Sequence, residues 1–473
     1  MTYAPDPRLL HSGLDLFDPV KAADFPQTIL RYRNDRAAMT VGLDGLNDAA
    51  WISHLGRFSP LPDNQPKPLA LRYHGHQFRH YNPDLGDGRG FLFAQLRDDQ
   101  RRLLDLGTKG SGRTPWSRGG DGRLTLKGGV REVLATAYLE ALGVPTSRTF
   151  SLIETGEALH RGDEPSPTRS SVLVRLSHSH IRFGTFERLV YLNEFETMRA
   201  LIGFVADNYY PDAAGLEGED QVVRVFDLCV TRTAKLVARW MMAGFVHGVL
   251  NTDNMNITGE SFDYGPYRFL PYYDAYFTAA YFDEGGLYAY GRQVDAVFWN
   301  LTQLARCLAQ ICDGARLIDS LNDFGKRYEA AARAAVLNRL NLKPLTADKD
   351  QALVEATFKL QAALHPQNGS FEGVYFDWFG GTLSHDRALS GPRGQFYTGE
   401  IFDNFKGLLG DFEPKDADLL KHPFFTAPEP VSLLIDDIEA LWAAIARDDD
   451  WSGFHAKLDE IETYRQALGL AAD

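Results

Sequence analysis

The order of short elements between residues 82 and 142 restricts this chain's fold more than any other feature. Asn82-Pro-Asp-Leu-Gly-Asp-Gly-Arg-Gly90 is a turn-rich loop with glycines at 86, 88 and 90. Phe91 to Leu96 then reads as a buried strand, Arg97 to Arg101 as a polar turn, and Leu103 to Lys109 as the next strand. From Thr125 the pattern is helical, with Val130, Leu134, Ala137 or Tyr138, and Ala141 at spacings of three and four. Gly143 and Pro145 end it. Two more strands, Thr149–Ile153 and Ser171–Leu176, follow on either side of a Pro- and Ser-containing loop at 163–170. Strands and a helix give way to helices alone: Val222–Met242, Ala296–Ile311, Leu353–Leu364 and Phe454–Leu468. The prediction is an α+β chain. Residues 366–396 read as a loop whose Phe376 and Trp378 fill the core.

Composition narrows the function classes. A chain of 473 residues with 44% hydrophobic content can bury a large core and divide into two or three parts. With 49 basic and 63 acidic residues, the formal charge of −14 argues against a nucleic-acid partner. Cys229, Cys307 and Cys312 supply neither a disulfide framework nor a four-ligand zinc pattern. Met1 to Asp6 has neither a basic-then-apolar signal nor an arginine-rich transit helix. No run approaches the roughly 20 apolar residues that span a bilayer. A cytoplasmic protein with no membrane partner is expected.

The glycine loop has a chemical reading. Glycines let backbone N–H groups approach phosphates, and Lys109 at a strand end supplies a point charge. Alone, such a loop is equally a hairpin turn. Lys109, Arg113, Arg118, Arg123, Lys127 and Arg131 then stand against Asp121 alone, on a glycine-rich backbone in an otherwise acidic chain. That stretch suits a polyphosphate, or else it is a solvated basic loop. Glu132, on the helix, is placed to pair with Lys109. Arg175 alternates with Val172, Val174 and Leu176 in a strand, where an arginine needs an anionic partner. A carboxylate or a ligand phosphate would serve, for it and for Arg182 in the loop after it.

His247-Gly-Val-Leu-Asn-Thr-Asp-Asn254, followed by Asp263-Tyr-Gly265, resembles the catalytic loop and metal-binding triplet of kinases. Val249 stands where the catalytic aspartate belongs. Asn254 and Asp263 keep the spacing of the metal ligands and are the oxygen ligands that magnesium prefers. Without the upstream lysine, Asn-Thr-Asp-Asn is an ordinary turn cluster. A short extended stretch at Ile257 is expected to form a hairpin before Asp263. The pattern predicts a protein-kinase-like two-lobed fold, with a mixed N-lobe over residues 71–185 and a mainly helical C-lobe over 186–473. Residues 1–70 form an extension packed on the lobes.

Five runs in order carry a closer resemblance: Gly86-Asp-Gly-Arg89; Lys109-Gly-Ser-Gly-Arg-Thr-Pro115; Ser117-Arg-Gly-Gly-Asp-Gly-Arg123; Ser179-His-Ile-Arg-Phe-Gly-Thr-Phe-Glu187; and Gly244 to Met255. Through them the chain resembles the selenoprotein O family, from Tyr73 to Gln310 and more weakly to Gly380. The resemblance implies a kinase-fold protein adenylyltransferase that moves AMP from ATP to Ser, Thr or Tyr hydroxyls of proteins and releases pyrophosphate. It implies an ATP inverted relative to a kinase. By motif, Gly86, Gly88, Arg89, Lys109, Asp121, Gly122, Arg175, Arg182 and Asp263 bind nucleotide. Asn254 and Asp263 hold magnesium, with manganese as the alternative; Asp253 takes the proton, and Glu132 supports Lys109.

The chain departs from the family at Ala467 to Asp473, which lacks the cysteine or selenocysteine of many members, so redox regulation tied to that residue is not expected. Lys127-Gly128-Gly129 differs from the family's serine-containing stretch. Three other readings use residues already named. One is a true kinase with Asp253 replacing the missing aspartate, and another is a non-catalytic ATP-binding scaffold. The third is a metal hydrolase built on His74, His76 and His80, against which stand structural hydrogen bonds for these histidines and for His178 and His180.

Overall fold

Most of residues 17–177 are spent on one antiparallel sheet and its coverings. The computed structural model describes residues 2–162, 164–364 and 370–470. In chain order the strands are β1 (Phe17–Pro19), β2 (Ile29–Arg33), β3 (Leu69–Leu71), β4 (Gly75–Gln77), β5 (His80–Asn82), β6 (Leu92–Arg97), β7 (Leu103–Lys109), β8 (Leu124–Thr125), β9 (Arg148–Leu159) and β10 (Thr168–Ser177). The main sheet runs β1-β3-β6-β7-β10-β9-β2, with β8 beside β10, while β4 and β5 form a separate hairpin. Both edge strands of the main sheet therefore come from the segment before residue 70.

The central strands β6, β7 and β10 are buried almost along their whole length because both of their faces are covered. Helices α1 (Asp35–Val41) and α2 (Asp48–Leu55) cover one face, where Trp51 stacks on Phe150 with centroids 5.0 Å apart. Helix α3 (Leu126–Ala141) covers the other, with Val130, Val133 and Leu134 against Leu152 and Leu173. The Thr125 hydroxyl caps α3 by accepting from the Gly128 N–H at 3.1 Å. β9 and β10 run further than the apolar alternation predicts. Polar pairs continue the ladder: Thr155 bonds Ser170, and Glu154 pairs with Arg31 and Arg169.

The second half is helical: α4 (Phe183–Tyr191), α5 (Phe195–Tyr209), α6 (Gly218–Met242), α7 (Gln293–Leu308), α8 (Gly314–Asn322), α9 (Phe324–Arg339), α10 (Ala347–Leu364), α11 (Phe371–Asp377), α12 (His385–Ser390), α13 (Glu400–Leu409), α14 (Ile435–Asp448) and α15 (Ser452–Leu468). The chain is α+β, as the sequence predicts. The axis is α6, which buries Phe226, Val230 and Val237 and packs on α5, α7, α8 and α9. Tyr464 of α15 lies against Tyr138 of α3 at 6.3 Å, so the last helix returns to the sheet.

Two sequence expectations need correction. From Ser370 onward the supposed loop holds α11 and α12, too short to show a helical period, and Ser370 caps α11. Phe376 and Trp378 do fill the core. Ile257 is in a turn rather than a strand; the hairpin pairs β11 (Phe245–Val246) with β12 (Arg268–Phe269) and encloses the whole loop between them. All three cysteines are buried and unpaired. Among the described residues no helix is long and apolar enough to cross a membrane. Residues 366–369 of the expected loop, and 471–473 at the cysteine-free end, lie outside the described residues.

Candidate active site

A cleft of about 680 Å³ opens between the glycine loop, the ends of β7 and β10, and the loop between β11 and β12. Gly86, Gly88, Arg89, Lys109, Asp121, Gly122, Arg175 and Arg182 all line it, together with Val249, Asp253, Asn254 and Asp263. Residues spread over 178 positions of sequence, from Gly86 to Asp263, share one cavity. Glu132 stands behind Lys109, its carboxylate 2.6 Å from the ammonium, and both are buried.

The glycine loop is shaped by its own neighbours. A Cβ on Gly86 would lie 2.5 Å from the Trp116 ring, and one on Gly88 would lie 2.7 Å from the Trp116 carbonyl oxygen. The basic stretch folds back over the loop, held by the Thr114 hydroxyl donating to the Asp87 carbonyl at 2.6 Å and by a Ser117 bond to Gly88. Gly122 has φ +69°, and a Cβ there would meet the Gly112 carbonyl oxygen at 2.2 Å. Only glycine fits that approach. Asp121 pairs with Arg161 at 2.8 Å, and Arg123 with Glu157. Arg89, Arg113 and Arg118 are exposed on the cleft with no ion pair among the described residues.

Deeper in, three cations converge on Asp263. Its oxygens accept from Arg175 at 2.8 Å and Arg182 at 2.9 Å, and Lys109 lies 3.4 Å away. The strand arginine thus has the carboxylate partner, 88 positions away in sequence. Burial would raise the Asp263 carboxyl, but Arg175, Lys109 and Arg182 overcome it and hold it well below the usual carboxylate range. Asp263 has φ +63°, uncommon outside glycine, as at many functional positions. Arg182 lies between the rings of Tyr73 and Phe262, at 4.5 and 4.7 Å, and donates to the Asp253 carbonyl at 2.7 Å. Buried Asp87 faces it at 3.5 Å.

Asp253 sits in a 3-10 turn over Thr252–Asn254. Its Oδ1 is buried without a hydrogen-bond partner among the described residues. Burial pushes its carboxyl up to about 7, with the Arg182 charge opposing. A carboxylate that titrates near neutrality and faces a cleft is what general base catalysis asks for. The Asn254 amide nitrogen donates to the Val249 carbonyl at 2.9 Å, which leaves the amide oxygen as the group for a cation. Val249 thus retains a part in the loop through its backbone.

The sequence reading missed what fixes this turn. Thr252 donates to Glu187 of α4 at 2.7 Å and accepts from the His76 N–H at 2.7 Å, and the His76 ring meets the same Glu187 at 2.7 Å. Asn251 accepts from the Phe78 N–H and the Tyr288 hydroxyl. In the sequence Glu187 stands out only as the last residue of the run from Ser179. Glu187→Gln is expected to lower kcat by up to about 100-fold through misplacement of Asp253, with KM for ATP little changed; steady-state kinetics checks the split. His74, meanwhile, bonds Tyr81 at 2.6 Å, His76 is taken by Glu187 and His80 is exposed, and no group of three metal-ligating side chains forms among the described residues.

The geometry agrees with two comparisons. A family model described as protein adenylyltransferase SelO matches residues 1–462. The chain is 43% identical to the protein nucleotidyltransferase YdiU of Synechocystis sp., over 98% of each chain. It is 45% identical to the protein of the same name from Gloeobacter violaceus, over 98% of this chain and 96% of that one.

Proposed function

The chain belongs to the protein adenylyltransferase SelO family, and from that premise we propose that its cleft binds ATP inverted, with the α-phosphorus toward Asp253. The protein is a nucleotidyltransferase that uses ATP and acts on proteins. The observation that carries the pose is the distribution of charge. Lys109, Arg175 and Arg182 form the deep end, which suits a polyphosphate better than a base. His180 fills the space under β7 beyond them: its ring would lie 2.0 Å from a Cβ on Gly107, and it is held by Asp105 and Arg175. Adenosine is left the outer end, beside Trp116 and the Gly119–Arg123 turn, where Asp121 and Gly122 line the cleft. On this reading the protein is a kinase-like fold of two lobes with the glycine loop and sheet in one and the helices in the other, and residues 1–70 pack on them.

The chemistry follows from the placement. A Ser, Thr or Tyr hydroxyl oxygen of the acceptor protein forms the new bond to the α-phosphorus as the α–β bridging P–O bond breaks. Asp253 accepts the hydroxyl proton. Pyrophosphate leaves with its charge stabilised by Lys109, Arg175 and Arg182. Glu132 fixes the Lys109 ammonium so that it meets phosphate already oriented.

Asn254 and Asp263 fit a hard divalent cation. Among the described residues no three His, Cys, Asp or Glu side chains form a cage, but magnesium with a nucleotide uses one or two protein oxygens and completes its shell with phosphate and water. When bound, it would neutralise charge on the phosphate oxygens. Manganese fits the same donors.

ATP labelled separately at the α and γ positions tests the reading. Label is expected in the acceptor protein from the α position only; label from the γ position only would overturn it. The pH dependence is a second test. The base must be deprotonated, and the carboxyl of Asp253 titrates at about 7, so kcat/KM is expected to rise with pH through about 7 and then level. A pH–rate profile of the free enzyme checks the limb.

A further inference from the structure

A second cavity, of about 530 Å³, lies among the Arg148 end of β9, the Ser177 end of β10, helix α6 and residues 258–260. It shares no lining residue with the nucleotide cleft. Arg102, Arg148, Arg232, Lys235 and Arg239 are its basic lining residues. Arg102 is paired with Asp98. Arg148, Arg232 and Lys235 have no ion pair among the described residues, and Arg232 instead lies over the Tyr210 ring at 4.2 Å.

The carboxylates of the lining do not answer these charges. Glu140 is paired with Arg36, and Asp99 is exposed at the rim. One oxygen of Glu260 accepts from the His178 N–H at 2.9 Å, and burial pushes its carboxyl up to about 7. Burial works against the Arg148 charge, lowering its pKa in spite of Glu140 and Glu260. The Ser177 hydroxyl, buried in the same wall, has no hydrogen-bond partner among the described residues. Arg148 is half-buried, and Glu140 and Glu260 offset the cost of its partial burial only in part; a buried hydroxyl left unpaired is costly as well. A dianion with several acceptor oxygens relieves both at once.

We propose that this cavity is a second anion site, for a small phosphate-bearing molecule held by Arg148, Arg232, Lys235 and the Ser177 hydroxyl. The cavity's volume suits a small molecule rather than a polypeptide or nucleic-acid chain. Its wall also leads to the active site. Ser147 and Ser261 are joined by a backbone bond of 2.9 Å beside the cavity, and two residues after Ser261 the chain reaches Asp263.

The test is calorimetric titration of inorganic phosphate into the full chain whose nucleotide cleft has been saturated with magnesium and a non-hydrolysable ATP analogue. One phosphate per chain is expected, with affinity at least tenfold weaker in both Lys235→Ala and Arg148→Gln. Lys235 is exposed on α6, so its variant keeps the fold and remains informative if Arg148→Gln does not. No uptake by the cleft-filled wild type, or wild-type affinity in the Lys235→Ala variant, would overturn the proposal. Neither outcome bears on adenylyl transfer, which the α-labelled ATP assay reads separately.

Discussion

Asp253→Asn is expected to lower adenylyl transfer by about 10²- to 10⁴-fold, the usual contribution of a positioned general base, while ATP binds as before. The carboxyl's Oδ1 has no partner among the described residues, whereas the cations assigned to the phosphates lie on Asp263 and Glu132. Removing the base therefore leaves the nucleotide contacts in place. Stability separates this loss from misfolding. Burial raises the folded-state carboxyl from 3.8 to about 7, so between those values the folded chain retains a proton that the unfolded chain has released. Stability from this group is present at low pH and is lost as pH rises through about 7. At pH 8 the neutral asparagine escapes that penalty, and the thermal midpoint of Asp253→Asn is expected to rise above wild type, with little gain near pH 4. An inactive and more stable variant is the expected pairing. Wild-type turnover in the folded variant would remove Asp253 from its role.

Arg182→Ala should damage both stability and activity. The guanidinium is buried, donates to Asp263 and the Asp253 carbonyl, and faces Asp87. Truncation leaves Asp87 buried without that cation and takes one of three cations from Asp263. Breaking a buried pair in this way costs about 3–5 kcal/mol, to be measured by urea denaturation. Loss of the Arg182 charge also raises the Asp253 carboxyl further, because Arg182 is the main charge opposing its upward shift. In any variant that stays folded, the rising limb of the pH–rate profile therefore moves to higher pH and ATP affinity falls. Arg182→Lys keeps the charge but loses the two-sided placement between Tyr73 and Phe262, and is expected to fall between the two. Unchanged stability in Arg182→Ala would show that the cluster is not a coupled unit.

The local elements were legible because their signals are local. Helix α3 shows its period from Thr125 onward, and β6 and β7 are largely apolar runs bounded by turns. Lys109 and Glu132 were legible as a pair because strand end and helix face are close in sequence. The rest depends on distant contacts. Nothing near Arg175 announces that Asp263 is its partner, and the glycines at 86 and 88 are required by Trp116, which a reading centred on phosphate approach overlooks. The hairpin was placed at Ile257 because an apolar residue between turns looks extended; its real strands, at 245–246 and 268–269, are only two residues each. Glu187 was visible only as part of a run, and its bonds to Thr252 and His76 come from three separate segments. Asp253 is singled out only by the family resemblance; burial supplies the shift toward neutrality.

The direction in which ATP lies decides whether AMP or phosphate reaches the acceptor. A structure of the full chain with magnesium and a non-hydrolysable ATP analogue measures it directly. The α-phosphorus is expected to be the phosphorus nearest the Asp253 carboxylate, with the β- and γ-phosphates among Lys109, Arg175 and Arg182 and the base beside Trp116. A γ-phosphorus nearest Asp253, with the base at the deep end, would contradict it.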